Sequence, residues 1–200
     1  ADFQQYVDVI EVIHKFAAKS ALDKPLHWFG QSMGGALVME YWQQRKLEKP
    51  TGELVLLAPL VRPYAWPLMR WAFALAKATV KARPRNMSSN MQNQEFVRLL
   101  AADPLQAKVL PVSWVQAMVR WFNQFEAYPS STLPLNIIQG YEDRTVSFRH
   151  NLRVLKRRYL NAAIHIIPAA RHHLVNEVPA IYAEIWAWLD DLCDWYKFKS

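Results

Sequence analysis

The feature that most constrains this chain is the run Gly30-Gln31-Ser32-Met33-Gly34-Gly35. An apolar stretch, Leu26 to Phe29, leads into it, and a helical pattern from Ala36 to about Arg45 leaves it. In that strand-turn-helix setting a G-x-S-x-G match is informative, because the serine then stands on a sharp turn in a strained backbone conformation. Strand, turn and helix crowd one another there, so the neighbours must be small, and glycine lacks the Cβ that would clash. Three of the chain's five glycines, Gly30, Gly34 and Gly35, fall within these six residues. The arrangement predicts a serine presented at the carboxyl end of a strand.

The surrounding chain supplies a βα rhythm. Behind an N-capping Asp2, the residues Phe3, Tyr6, Ile10 and Ile13 recur at helical spacing as far as Lys19, and Ser20 to Pro25 reads as a turn. After the elbow, Ala36, Leu37, Met39, Tyr41 and Trp42 make a helix apolar around most of its circumference, hence buried, with its basic end at Gln43 to Lys49. Pro50-Thr51-Gly52 turns the chain into Leu54 to Leu57, a continuous apolar run of the kind found in parallel strands covered on both faces.

Between Pro59 and Pro134 the rhythm stops. Helices are expected at Trp66 to Val80, Gln94 to Leu100 and Ser113 to Phe125, the last with Trp114, Met118, Trp121 and Phe125 on one stripe. That stripe reads first as packing within the insertion, and second as an apolar wall for an acyl chain. The rhythm resumes at the strand Leu135 to Ile138, where Gly140 allows a tight turn. Ser147 then caps a helix with Phe148, Leu152, Leu155 and Tyr159 inside and its Arg and Lys residues outside. A last strand, Ala163 to Ile167, leads through the loop Ala169 to His173 into a helix from Pro179 with Ile181, Ile185, Trp188 and Leu192 facing inward. The expected organisation is an α/β core of residues 1–61 and 133–200, parallel strands with flanking helices, interrupted by a helical cap over 62–132.

Composition narrows the function classes. With 52% hydrophobic and 20% charged residues, 200 residues suffice for one globular unit with a real core. No apolar run approaches the ~18 residues of a membrane span. Cys193 is the single cysteine and cannot form an intrachain disulfide. The adjacent His172 and His173 lack the helical separation that would let both imidazoles hold a metal, so neither metal nor cofactor is expected. The net charge of +7 suits an acidic partner or an ordinary solvated surface. Its basic stretches, Lys77 to Arg85 and Arg153 to Arg158, carry no nucleic-acid motif, so no nucleic-acid partner is expected. No signal peptide is visible from Ala1, and the expected location is cytoplasmic, with peripheral contact to the inner membrane left open.

A serine hydroxyl needs a base to take its proton, and the base needs a carboxylate to fix its tautomer. Ser32, Asp143 and His172 each follow a predicted strand, in the chain order Ser, Asp, His of α/β-hydrolases. Glu142 competes with Asp143, and His173 with His172. The other histidines are worse placed: His14 and His150 fall in helical stretches, His27 and His165 in strands. The amide of Met33, at the positive end of the following helix, is the expected oxyanion-hole donor.

The elbow Gly30 to Gly35, the turn Gly140-x-x-Asp143-x-x-Val146 and the segment Arg171-His172-His173-Leu174-Val175-Asn176-Glu177 together resemble the monoacylglycerol lipase and lysophospholipase group of α/β-hydrolases, the serine aminopeptidase S33-like set. The resemblance implies the α/β-hydrolase fold, here its C-terminal part, with the helical insertion standing where that family carries its lid. It also implies that His172, the histidine after the arginine, is the catalytic one, although the family commonly follows it with glutamate where this chain has His173. The family begins with further strands and a His-Gly loop that gives a second oxyanion amide, and this chain shows neither. The elbow strand would then be an open apolar edge, inviting self-association or a cover from another chain. The expected activity is ester hydrolysis through an acyl-enzyme on a small lipid or ester substrate, monoacylglycerol or lysophospholipid, with amides not excluded and turnover weakened by the single donor. The competing reading is a non-catalytic module that keeps the fold.

Overall fold

The computed structural model describes residues 2–21, 24–45, 50–76, 80–84 and 90–193. Its elements run α1 (Phe3–Ala21), β1 (Trp28–Gln31), α2 (Met33–Gln44), β2 (Leu54–Leu57), α3 (Trp66–Ala76), β3 (Ala82–Pro84), α4 (Gln94–Ala102), β4 (Val109–Pro111), α5 (Val112–Ala127), β5 (Leu135–Gly140), α6 (Phe148–Arg158), β6 (Ala162–Ile167), a 3₁₀ turn (Leu174–Asn176) and α7 (Pro179–Cys193). β1, β2, β5 and β6 form one parallel sheet in that order. Every residue of β2 and β5 is buried, as the unbroken apolar run of β2 requires of a strand covered on both faces; β5 buries Asn136 and Gln139 as well. The register sets Gln31 opposite Leu57 and Gly140 opposite Ile167, so the strands finish together and their following loops gather at one edge.

Alternation along β2 sorts the core into two layers. Leu54 and Leu56 pack with α1, α2, α5 and α6, whereas Val55 and Leu57 pack with Ile181, Ile185 and Leu189 of α7. The aromatic stripe of α5 joins the first layer: Met118, Trp121 and Phe125 are buried there, Trp114 packs against them, and Trp121 stacks on Phe3 at 4.7 Å between ring centroids. A buried carboxylate, Glu40 of α2, accepts hydrogen bonds from Trp121 Nε1 at 2.8 Å and the Tyr128 hydroxyl at 3.0 Å. Burial and the adjacent Glu40 charge push the Tyr128 phenol up to about 12, so it remains a donor to that carboxylate.

Several local expectations are corrected. β1 lies two residues later than the apolar pattern placed it. Its ladder opens with Trp28 N–H donating to the Glu53 carbonyl at 2.7 Å, while Leu26 is still opposite the Thr51 turn and donates to Thr51 Oγ1. His27 accordingly precedes the strand. α2 starts at Met33, directly after the serine, because one residue reverses the chain. Ile13, expected inside, is exposed on α1. Ser147 precedes α6 but its side chain makes no capping bond. Arg158, expected outside, is 1% exposed: it donates to the Pro129 carbonyl and Gln43 Oε1, and its guanidinium lies over Phe125 and Tyr128. β3 and β4 pair antiparallel between β2 and β5 of the sequence and escaped the pattern, since three-residue strands ending in Pro84 and Pro111 carry no periodic signal. The expected ends of α2 beyond residue 45 and of α3 at 77–79, the turn at 22–23, and parts of the basic stretch 77–85 lie outside the described residues. Among the described residues no helix is long and apolar enough to cross a membrane.

Candidate active site

Ser32 separates β1 from α2 at φ 53°, ψ −115°, a left-handed conformation for a residue with a side chain. The backbone around it holds that strain. Ser32 N–H donates to the Leu57 carbonyl at 2.9 Å, and the Ser32 carbonyl accepts from Leu60 N–H at 3.0 Å and Ala36 N–H at 3.2 Å. Crowding is real at two of the three elbow glycines. A Cβ on Gly30 would stand 2.8 Å from the Gly34 backbone, and one on Gly35 would meet the Gly30 carbonyl oxygen at 3.0 Å and Pro59 Cβ at 3.1 Å. At Gly34 a Cβ would meet nothing within 4 Å, so the expectation of crowding fails there. Met33 is the first residue of α2, and its N–H has no acceptor within the helix.

Asp143 lies beyond the end of β5 and His172 beyond the end of β6, and the two side chains meet: His172 Nδ1 is 2.8 Å from Asp143 Oδ2, with both residues buried. Burial alone would raise the Asp143 carboxyl. The hydrogen bond and charge of His172, together with the Val146 and Thr145 amides, outweigh it and hold the group below the ordinary carboxylate range. An ionised carboxylate only accepts, so the hydrogen sits on Nδ1 and leaves the Nε2 lone pair available. Glu142, next in sequence, is exposed and makes only a 3.9 Å approach to Arg171. Of the histidine pair it is His172 that meets Asp143; His173 is half-buried with its ring edge-on to His172. Ser32 is linked to this pair through its neighbour, since Gln31 Nε2 donates to the His172 carbonyl at 3.4 Å. Among the described residues no hydrogen bond joins the Ser32 hydroxyl to His172, a contact that commonly tightens only when substrate is bound.

Other residues hold the pair in place, and sequence reasoning gave them no role. Buried Gln139 donates from Nε2 to Asp143 Oδ2 at 3.0 Å. The Asn90 carbonyl accepts from both His172 and His173 N–H at 3.0 Å. Buried Glu177 accepts from Arg171 N–H at 3.0 Å and Gln92 N–H at 2.8 Å, while Gln92 Nε2 donates to the Ala169 carbonyl. Glu177 was visible as the last member of a recognisable segment; Asn90 and Gln92 carry no signal in sequence. Gly140 also has a different reason from the expected one. Its φ is not positive, but a Cβ there would come within 2.2 Å of the Arg171 carbonyl oxygen and 2.4 Å of that of Ala170. Gly140→Ala is therefore expected to push the histidine loop off β5 and to lower stability by at least about 1–3 kcal/mol, read as a fall in Tm. An unchanged Tm would refute the close approach.

Cys193 is buried in α7, and burial with the charges of Glu53 and Asp190 pushes its thiol up to about 11, unsuited to nucleophilic work. Among the described residues no group of three or more His, Cys, Asp or Glu is placed to hold a metal ion.

The family described as "Serine aminopeptidase, S33" matches residues 1–179. Among solved structures, the chain is similar to a soluble variant of monoglyceride lipase from Saccharomyces cerevisiae in complex with a substrate analogue, with a TM-score of 0.78 and 16% identity over 97% of this chain and 70% of that one. It is also similar to a monoacylglycerol lipase from Paleococcus ferrophilus, with a TM-score of 0.69 and 16% identity over 96% and 76% of the two chains. A carboxyl esterase from Bacillus coagulans gives a TM-score of 0.64 and 13% identity over 93% and 71%. No curated protein sequence matches. At these identities the shared property is the fold.

Proposed function

The chain belongs to the serine aminopeptidase S33 family and has the α/β-hydrolase fold, and on that premise we propose that it cleaves carboxylic esters through an acyl-enzyme. The observation that carries this reading is the buried 2.8 Å contact between His172 and an ionised Asp143 at the strand edge that also presents the strained Ser32. In this reading Ser32 Oγ attacks the ester carbonyl while its proton passes to His172 Nε2, and Asp143 stabilises the imidazolium. The Met33 amide, at the positive end of α2, receives the oxyanion. The tetrahedral intermediate expels the alcohol, which takes the proton from His172, and water then attacks the acyl-serine by the same route to release the acid.

Monoacylglycerol is the substrate that the neighbours' printed activities suggest, and a lysophospholipid belongs to the same proposal through the sequence resemblance alone. The triad chemistry alone does not separate esters from amides. Hydrolysis of a monoacylglycerol by the purified chain, with no release of nitroaniline from an aminoacyl nitroanilide, is the expected result; the reverse preference would replace this reading with an aminopeptidase.

Peripheral membrane contact and self-association belong to the same proposal. Leu68, Trp71 and Leu75 recur on one face of α3 and are 73%, 67% and 81% exposed, which suits a helix lying on lipid. β1 is the outer strand of the described sheet, which suits pairing with a second copy. Sedimentation with and without anionic vesicles tests both: co-pelleting and a concentration-dependent mass are expected, and a monomer indifferent to vesicles would refute both.

A further inference from the structure

Beside the Asp143–His172 pair lies a cavity of about 870 Å³ to which the mechanism above assigns no part of the substrate. His172 and Asp143 form part of its wall, so whatever occupies it sits against the proposed catalytic pair. Arg144, Arg149 and Arg171 also line it. Their charges are not equally committed. Arg171 approaches Glu142 at 3.9 Å and donates to the Met91 carbonyl at 3.3 Å, so it is partly offset. Arg149 donates only to a neutral group, the Tyr141 hydroxyl, at 3.0 Å. Arg144 is exposed and makes no hydrogen bond or ion pair among the described residues. Ser147, whose hydroxyl is not used in capping α6, completes that side of the cavity.

Of the acids on the wall, Asp143 is engaged by His172, Gln139 and two backbone amides, and Glu142 faces Arg171. The cavity therefore offers two guanidinium groups with no anionic partner. A planar guanidinium presents paired N–H donors that match phosphate or carboxylate oxygens. Tyr64 and Tyr141 on the same wall could instead suggest an aromatic cage for a quaternary ammonium. That option is closed by Arg149, whose guanidinium already lies 5.1 Å from the Tyr141 ring centroid and 4.8 Å from that of Phe148. A second cation there would be repelled.

Resting on the ester-hydrolase reading, we propose that this cavity is a subsite for a phosphate group carried by the substrate, so that the preferred ester is an acylglycerol phosphate without a cationic head group. Glycerol places an ester and a phosphate three carbons apart, so one small molecule can bring its ester to His172 and its phosphate to the arginines that line the same cavity. The net charge of +7 would draw such a substrate in from solution.

The test compares 1-acylglycerol with 1-acylglycerol 3-phosphate of the same acyl chain, in the wild type and in Arg144→Gln/Arg149→Gln. The expected wild-type ratio of kcat/KM favours the phosphate by at least about tenfold and falls toward one in the double variant, the scale of losing charge-assisted contacts. Calorimetry on the same preparations reads binding without turnover. Glycerol 3-phosphate should bind more tightly than inorganic phosphate, and the double variant should lose that binding. A wild-type ratio near one, no binding of glycerol 3-phosphate to the folded wild type, or equal binding of inorganic phosphate would each overturn the proposal. Fluorophosphonate labelling of these preparations separates the two levels. Labelling retained with any of those results sinks the phosphate subsite alone, whereas labelling absent sinks the ester-hydrolase reading, and calorimetry still decides the cavity.

Discussion

Replacing Ser32 with alanine, or His172 with alanine, is expected to abolish labelling of the purified chain by a fluorophosphonate probe. Loss of either the nucleophile or its base in a serine hydrolase lowers turnover by about a millionfold, because the two act as one unit and neither retains partial function alone. Both variants should stay folded. Ser32 lies on a turn whose backbone bonds do not involve its hydroxyl, and relief of side-chain strain at a positive φ is small for alanine. Labelling that survived in Ser32→Ala would show another nucleophile. Labelling that survived in His172→Ala would show a serine activated by something other than the Asp143–His172 pair. No labelling of a wild type that melts cooperatively would refute the ester-hydrolase reading.

Asp143→Asn should lower kcat by about ten-thousandfold while leaving the fold in place. The reason lies in the fixed donors around this carboxylate. Oδ1 accepts from the Thr145 and Val146 amides at 2.7 and 3.1 Å, so asparagine must keep its single carbonyl oxygen there. Its NH₂ then faces both Gln139 Nε2 and His172 Nδ1, donor against donor. The imidazole can resolve the conflict only by moving its hydrogen to Nε2, which is the wrong tautomer for taking a proton from serine. The same substitution has a signature in acid. Because the folded carboxyl is held below its ordinary value, Asp143 contributes stability that is complete above that value, about 3.9, and is lost as pH falls through the lower folded value. Stability measured from pH 7 down to pH 3 should therefore fall less steeply in Asp143→Asn than in the wild type. An equal slope in both would show that folding does not lower the Asp143 carboxyl.

The sequence disclosed the strands that end at the site better than what lies between them. β2 announces itself as an apolar run because both of its faces are covered, and α2 does so because it is buried almost all round; β5 and β6 show it only in part, β5 because it buries Asn136 and Gln139 and β6 because it is a half-exposed outer strand. β1 was displaced by two residues because apolar character does not say where a partner strand begins; the turn at Thr51 does. Gly30 and Gly35 were legible as sites of crowding, while Gly34 shared their pattern without their reason. Gly140 showed that a glycine can answer to a distant carbonyl instead of to its own dihedral angles. The buried Arg158 could not be read from helical periodicity, since its burial depends on Gln43 and Pro129 from remote segments supplying acceptors. Asn90 acts through its carbonyl, a group that every residue has, and is invisible to any reading of side chains.

The short segment 90–92 makes the region between β2 and β5 uneven in what it can tolerate. It is fastened to the histidine loop through the Asn90 and Met91 carbonyls and through Gln92, which Glu177 and Ala169 receive. α4, directly after it, buries no residue at all, and α3, before it, turns Leu68, Trp71 and Leu75 outward. Recombination between relatives could therefore exchange the outward parts of this region, altering reach and surface taste, at crossovers on either side of residues 90–92. A crossover that separated those residues from Glu177 would deliver a folded chimera whose histidine had lost its mooring, so a library built on this scaffold has to inherit residues 90–92 and 169–177 as one block.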